Sequence, residues 1–184
     1  MKNFTFKKLS HEDIPLVHSW VSRPHVREFW PDSGLEDFET FKQKYEGKIV
    51  SEKMNSYIVM LQGKPIGYIQ SYPINDKTFG IDQFIGVEEF VNKGLGSMFV
   101  KQFTDELLLT KNISKIVTDP SVLNLRAQKA YEKAGFKKKV AMPGEDGDVM
   151  IMEKKIKKAS WKQEAFFYVL EKINKLFKVV NLSC

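Results

Sequence analysis

Two glycines one residue apart, in Lys93-Gly94-Leu95-Gly96-Ser97, lie between an apolar run at residues 79–87 and an apolar stretch at residues 98–109. A chain that turns this quickly from a strand-like run into a helix-like one needs residues without a Cβ at the bend. The first N–H groups of the helix that follows have no internal partner, so the backbone there can approach an anion closely. A tight strand-to-helix turn that holds no ligand needs the same glycines. Spacing removes two familiar phosphate loops. A Walker loop requires Gly-Lys-Ser/Thr, whereas Gly96 is followed by Ser97-Met98, and a dinucleotide fingerprint requires a third small residue where Phe99 stands.

The pattern on either side predicts a mixed α/β sheet. Residues 3–9 alternate like a half-buried strand. Ser10 with Asp13 predicts the cap of a helix over residues 11–22 that buries Ile14, Val17 and Trp20 or Val21 and is ended by Pro24. Residues 25–34 read as a loop with Phe29 and Trp30 beside Glu28, either holding an amine by charge and stacking or simply packing. Leu35, Phe38, Phe41, Tyr45 and Ile49 predict a second amphipathic helix to residue 50. Residues 57–61 and 65–72 flank Gln62-Gly63-Lys64 as a hairpin, 73–78 read as a polar connection, and 79–87 as a central strand. After the glycine turn, Met98, Val100, Phe103, Leu107 and Leu108 lie along a helix. A short strand at 113–118, a helix at 123–134 stopped by Gly135, and a hairpin of 136–142 and 149–156 around a turn at 143–148 complete the chain.

Charge divides the chain in two. From Lys154 onward eight lysines stand against Glu164 and Glu171, while residues 1–153 carry 21 basic and 21 acidic side chains. The neutral main body removes the ground for a nucleic-acid partner. Cys184 is the only cysteine, so no disulfide forms within one chain, and His11, His18 and His25 lack metal-ligand spacing; no metal is expected. A reducing cytoplasm fits this usage, and no export leader is expected at the N-terminus. Phe166, Leu170, Ile173, Phe177 and Val180 form a heptad-like stripe among Lys162, Lys172, Lys175 and Lys178. This predicts a basic amphipathic helix over 157–184, appended to a domain of 1–156. It would pack on its own domain, form a dimer contact, or touch a membrane surface.

The segment Asn124-Leu125-Arg126-Ala127-Gln128-Lys129-Ala130-Tyr131-Glu132-Lys133-Ala134-Gly135-Phe136, downstream of a Gly-x-Gly helix start, resembles the GNAT acetyltransferases. Residues 65–72, Gly80-Ile81-Asp82-Gln83, Lys93-Gly94-Leu95-Gly96 and Thr118-Asp119-Pro120-Ser121 are similar, within that family, to the aminoglycoside 6'-N-acetyltransferases. The resemblance covers about residues 4–153 and implies a GNAT fold with acetyl-CoA as donor. It implies that the pyrophosphate lies against the backbone from Val91 through Asn92, Lys93, Gly94 and Leu95 to Gly96. Ser97 and Asn124 complete the cofactor set, with the pantetheine arm beside Phe84 and Ile85. Val91 stands where the family often carries Gln or Arg.

For the chemistry, the resemblance implies that Asp82 and Asp119 bind and deprotonate the acceptor amine. An alkyl ammonium titrates near 10.4 by analogy with lysine, so it must be held as a cation and then lose a proton. Tyr131 is implied as the acid that protonates the departing thiolate, and a backbone N–H near Phe84 or Ile85 as the group that polarises the thioester carbonyl. Glu28, Trp30 and Asp146, with Asp82 and Asp119, match the acceptor walls. The connection at 73–78 is shorter than the acidic, tryptophan-bearing flap of relatives, which implies a more open acceptor pocket. The implied function is acetyl transfer to the 6'-amino group of an aminoglycoside, an antibiotic-resistance activity. The alternatives are a polyamine or siderophore-type hydroxylamine acceptor, or a non-catalytic CoA-binding or membrane-associated module.

Overall fold

A computed structural model describes residues 4–30 and 37–156. Seven strands form one sheet in the order β1-β2-β3-β4-β5-β7-β6. These are β1 (Phe4–Lys8), β2 (Asn55–Leu61), β3 (Lys64–Asn75), β4 (Thr78–Ile85), β5 (Lys115–Thr118), β6 (Lys137–Gly144) and β7 (Gly147–Lys155). Every neighbouring pair is antiparallel except β4 and β5. That parallel pairing runs only from Thr78↔Lys115 to Gly80↔Val117. Beyond Gly80, β4 stays on β3 as far as Ile85, while β5 ends at Thr118 and Asp119-Pro120 leads away. One edge of β4 is thereby left open from Ile81 to Ile85, and the candidate site lies along it.

Helices cover both faces: α1 (Ile14–Val21), α2 (Pro24–Arg27) and α3 (Phe38–Val50) on one, α4 (Leu95–Thr110) and α5 (Leu125–Lys133) on the other. Ile66, Ile69, Ile81 and Ile116 of the sheet bury against Leu95, Phe99, Phe103 and Tyr131, and Ile58, Tyr68 and Phe84 against Val17, Trp20, Phe41 and Tyr45. Each such large side chain taken fully from water contributes about 1.5–3 kcal/mol. Ser10 does cap the first helical turn, with its N–H and hydroxyl 2.9 and 2.8 Å from Asp13 Oδ2, and Ile14, Val17, Trp20 and Val21 are all buried. Helix α5 ends in a Schellman motif: Gly135 adopts φ +98°, and the N–H of Phe136 donates to Tyr131 O at 3.0 Å.

The structure corrects the sequence reading in four places. α1 does end before Pro24, but Pro24 also opens α2 where a loop over 25–34 was expected, because its fixed φ suits a first helical position, so residues 25–27 are helical. The connection at 73–78 is not a loop. β3 runs on to Asn75, whose side chain accepts from the Lys77 N–H at 3.0 Å and closes a turn at Asp76-Lys77. Likewise Pro143 and Gly144 extend β6, leaving Glu145-Asp146 as the turn. In α4 the inward series starts from Leu95 and passes through Phe99 and Phe103, so Met98 points outward. The basic helix expected over 157–184 and the end of the aromatic loop, 31–36, lie outside the described residues.

Candidate active site

Two clefts meet along the open edge of β4. The first, of about 460 Å³, is lined by Phe84, Ile85, Val91, Asn92, Gly94, Gly96, Ser97 and Asn124. Gly94 at φ +73° and Asn92 at φ +61° bend the chain so that α4 begins at Leu95 with its first N–H groups free of helical acceptors. The α5 side chains Arg126, Lys129 and Lys133 line the same cleft, and no carboxylate does among the described residues. Helix dipole and side chains thus favour an anion. Lys93 and Leu95, expected with this set, do not line the cleft: Lys93 points to solvent and Leu95 is buried in the core.

The Gly86 N–H donates to Ile66 O at 2.9 Å, on the β3 side. Strand alternation therefore turns the peptide groups of Gln83 and Ile85 towards the first cleft. Consistent with this, His25 Nε2 lies 3.0 Å from Ile85 O. The outward N–H groups available to a carbonyl there belong to Gln83 and Ile85, which refines the expected position near Phe84 or Ile85.

The second cleft, of about 870 Å³, brings together Glu28, Trp30, Asp82, Asp119, Tyr131 and Asp146. These residues come from α2 and the segment after it, β4, the end of β5, α5 and the β6–β7 turn. With Glu145 they give the cleft five carboxylates against Arg27 as its one lining cation among the described residues. Trp30 is buried edge-on against Phe84 at 4.8 Å between ring centres and closes the inner wall. Lys48 of α3 lies behind it, 4.4 Å from the Tyr45 ring centre and 6.0 Å from that of Trp30.

Asp82 is held by residues that the sequence reading left as plain strand. Register pairs Phe84, Asp82 and Gly80 with Tyr68, Gln70 and Tyr72, so all six share one face. Gln70 Nε2 donates to Asp82 Oδ2 at 2.8 Å, and Tyr68 OH lies 2.8 Å from both Gln70 Oε1 and Ser56 Oγ. The Tyr72 ring lies over Gly80, where any Cβ would collide with it, and its phenol interacts with the Asp82 carboxylate from the other side. Loss of solvation at the inner end of the cleft pushes the Asp82 carboxyl above the ordinary carboxylate value. The Asp119 charge adds to this, while Gln70, Lys48 and Tyr72 oppose it. Burial, then the charges of Asp82 and Asp119, push the Tyr72 phenol up. A polar glutamine on a buried strand face needs a partner, and that was the signal in the sequence for Gln70.

Tyr131, 4% exposed, stands where the two clefts join. Burial raises its phenol above the ordinary value, as do Asp82 and Asp119, and hydrogen bonds from Thr118 and Gln83 counteract that. A phenol beside a basic cleft and a carboxylate within an acidic one suit proton transfer at the junction between them.

The family model of the acetyltransferase (GNAT) domain matches residues 10–142. Aminoglycoside N(6')-acetyltransferase type 1 of Klebsiella pneumoniae is 32% identical over 164 residues, 80% of this chain and 81% of that one. Spermidine N(1)-acetyltransferase of Escherichia coli (strain K12) is 24% identical over 131 residues, covering 71% of this chain and 70% of that one. A crystal structure of aminoglycoside acetyltransferase AAC(6')-Ib in complex with coenzyme A and kanamycin superposes with a TM-score of 0.76 at 29% identity, over 88% of this chain and 98% of that one.

Proposed function

The chain belongs to the GNAT acetyltransferases, and from that premise we propose that it moves an acetyl group from acetyl-CoA to the 6'-amino group of an aminoglycoside. The observation that carries this reading is the meeting of an anion-favouring cleft and a five-carboxylate cleft at Asp82 and Tyr131. Acetyl-CoA supplies an activated acetyl thioester. The first turn of α4, with Arg126, Lys129 and Lys133, suits its phosphates, and the outward peptide groups of Gln83 and Ile85 suit its amide arm. The first N–H groups of α4 and a lining without a carboxylate among the described residues fit that group, and the Ile85 carbonyl, met by His25 Nε2 at 3.0 Å, leaves its N–H and the Gln83 peptide for the arm.

Within this chain the work divides as follows. Glu28, Asp119, Glu145 and Asp146 attract a polycation, and Trp30 walls the inner end. Asp82, raised above an ordinary carboxylate, is a better base than an exposed one and takes the proton that the ammonium loses, directly or through water. The N–H groups of Gln83 and Ile85 face where carbonyl charge develops. Tyr131 holds the proton that the departing thiolate gains. Overall the acetyl group passes from sulfur to nitrogen and the ammonium gives up two protons: one passes through Asp82 to solvent, and the other balances the proton that Tyr131 delivers to sulfur.

A second reading, in which a linear polyamine is the acceptor, is supported by the similarity to spermidine N(1)-acetyltransferase. We assign the activity to residues 1–156 and place it in the cytoplasm, which the lone cysteine fits. The test is thiol release from acetyl-CoA by the purified chain, with kanamycin, spermidine and hydroxylamine as separate acceptors. Release with kanamycin supports the main reading, and release with spermidine alone replaces it by the second. Silence with all three, in protein that binds CoA, overturns both.

A further inference from the structure

One wall of the acidic cleft is apolar, and the roles assigned above do not use it. The core under α1, α2 and α3 takes Ile58, Tyr68 and Phe84 from β2, β3 and β4, and no residue of β5, β6 or β7 among those described. The far half of that sheet face is therefore uncovered by helices. Met152 is buried on the opposite face, in the core under α4 and α5, so strand alternation turns Ile151 and Val149 to the uncovered one. Register sets Val140 beside Ile151 and Met142 beside Val149, with Ser121 on the other side of Val149. Ile151, Val149 and Met142 line the acidic cleft together with Leu123. Met142 is 47% exposed and Leu123 79%. Single apolar side chains on a surface are ordinary, but four along one wall of a cleft mark a place where apolar ligand surface arrives.

The carboxylates adjoin this wall. Thr118 pairs with Met152, and Pro120 O accepts from the Met150 N–H at 2.8 Å, so Asp119 runs past Ile151. Neighbouring strands lie about 4.8 Å apart, so an alkyl chain of roughly four to eight carbons, starting from an ammonium at Asp82 and Asp119, crosses β7 and reaches β6. Hydroxyl groups gain nothing from Leu123 and Met142, whereas methylenes do. We propose that the chain also acetylates amphiphilic primary amines, in which an alkyl chain of that length leads away from the ammonium. The carboxylates hold the head, and the wall formed by β6, β7 and Leu123 holds the chain. Nitrogen bonds to the acetyl carbon as the carbon–sulfur bond breaks, and the ammonium gives up its two protons by the routes given above. The product is a neutral amide, which the five carboxylates no longer attract. This activity goes beyond both acceptor readings and rests on the transferase chemistry that they share.

The experiment measures thiol release from acetyl-CoA with the unbranched amines from propylamine to octylamine, for the full chain and for Leu123→Ser, Met142→Ser and the double variant. The wall covers one side of the ligand, so the wild-type KM is expected to fall about twofold for each added methylene and about 30-fold over the series. Both substituted side chains are exposed, and thermal melts with CoA affinity check that the variants fold. The double variant is expected to lose at least about threefold of the octylamine-to-propylamine ratio. Calorimetry of the same two amines with CoA-loaded protein reads that ratio without turnover. A flat series in the wild type, or an unchanged ratio in the folded double variant, overturns the proposal. Binding that steepens with chain length, without turnover of any amine, kanamycin and spermidine included, overturns the transferase reading beneath it.

Discussion

Gly80 offers a test of the Asp82 support with a magnitude set by geometry. An added Cβ would stand 2.5 Å from Cζ and 2.9 Å from Oη of Tyr72. Carbon atoms rest at about 3.5–4.0 Å, so in Gly80→Ala the ring must retreat by about 1 Å or more. The ring is half-buried and can swing into the cleft, which keeps the stability cost near the low end of overpacking, about 1 kcal/mol. A phenol displaced that far no longer supports the Asp82 carboxylate, since O–H···O contacts hold only to about 3.0 Å. Misplacement by 1 Å at a reacting centre costs on the order of 100-fold, and Tyr72 acts at one remove through Asp82, so kcat/KM is expected to fall about 10- to 100-fold. Thermal melts and steady-state kinetics of Gly80→Ala, Tyr72→Phe and the pair measure this. If the methyl acts by displacing the phenol, Gly80→Ala costs little further activity once the hydroxyl is absent. Wild-type kinetics in Gly80→Ala, or full additivity in the pair, would refute the assignment of Tyr72 to Asp82.

Gly86→Ala should do the reverse: its Cβ would fall 2.7 Å from Cε2 of Trp20 and nearer still to Cγ and Cδ2. Trp20 is 1% exposed, so denaturant melts should show a loss of about 3 kcal/mol. Tyr131→Phe is expected to lower kcat about 100-fold and leave CoA affinity, measured by calorimetry, unchanged. Asp82→Asn should lose at least 100-fold in turnover yet gain stability at pH 7. In the fold the wild-type carboxyl keeps its proton to higher pH than in the unfolded chain, so stability falls as pH rises from 3.8 through the raised folded value and does not return above it. The Asn variant escapes that fall, so its advantage in denaturant melts should be larger at pH 7 than at pH 4, and an equal advantage at both would count against the raised carboxyl. Lys154, buried with Nζ 2.6 Å from Asp105 Oδ1 and 2.7 Å from Thr104 Oγ1, should cost about 2 kcal/mol as Lys154→Ala and under 1 kcal/mol as Lys154→Met, in which the apolar stem keeps its packing.

The glycine turn was legible because a bend without Cβ leaves few other residues to choose from, and Gly94 does hold a left-handed conformation at the start of α4. Asp82, Asp119 and Tyr131 were singled out through resemblance, and the structure brings all three to the second cleft; alone, Asp82 reads as a turn residue and Asp119 as a helix cap. Gln70 and Tyr72 escaped because their role depends on register, Gln70 opposite Asp82 and Tyr72 opposite Gly80, which a single strand pattern does not fix. The ends of β3 and β6 escaped for a similar reason. A side-chain acceptor on Asn75 decides where the first turn closes, and polar residues on a doubly exposed strand such as β6 look the same as loop.

What makes this stretch of β4 a site is that its edge is opened just where its alternation becomes useful. Upstream of Gly80 the strand is paired on both sides and can only be core. Downstream it keeps β3 and loses β5, so the peptide groups that alternate away from β3 face the gap, while the period of two sends successive side chains to opposite faces. Asp82 faces Gln70 and the acidic cleft, and Gln83 faces Tyr131. The peptide groups of Gln83 and Ile85 face the gap itself. A carboxylate, an amide and the outward N–H groups therefore sit on two consecutive residues and a third two positions on, all on one strand. A one-residue slip of β4 against β3 would exchange the faces and send Asp82 into the core beside Ile116. The stacking of Tyr68 on Phe84, 5.5 Å between ring centres, and the buried Ser56–Tyr68–Gln70 chain oppose that slip, so the residues that orient Asp82 also hold the register on which the whole arrangement depends.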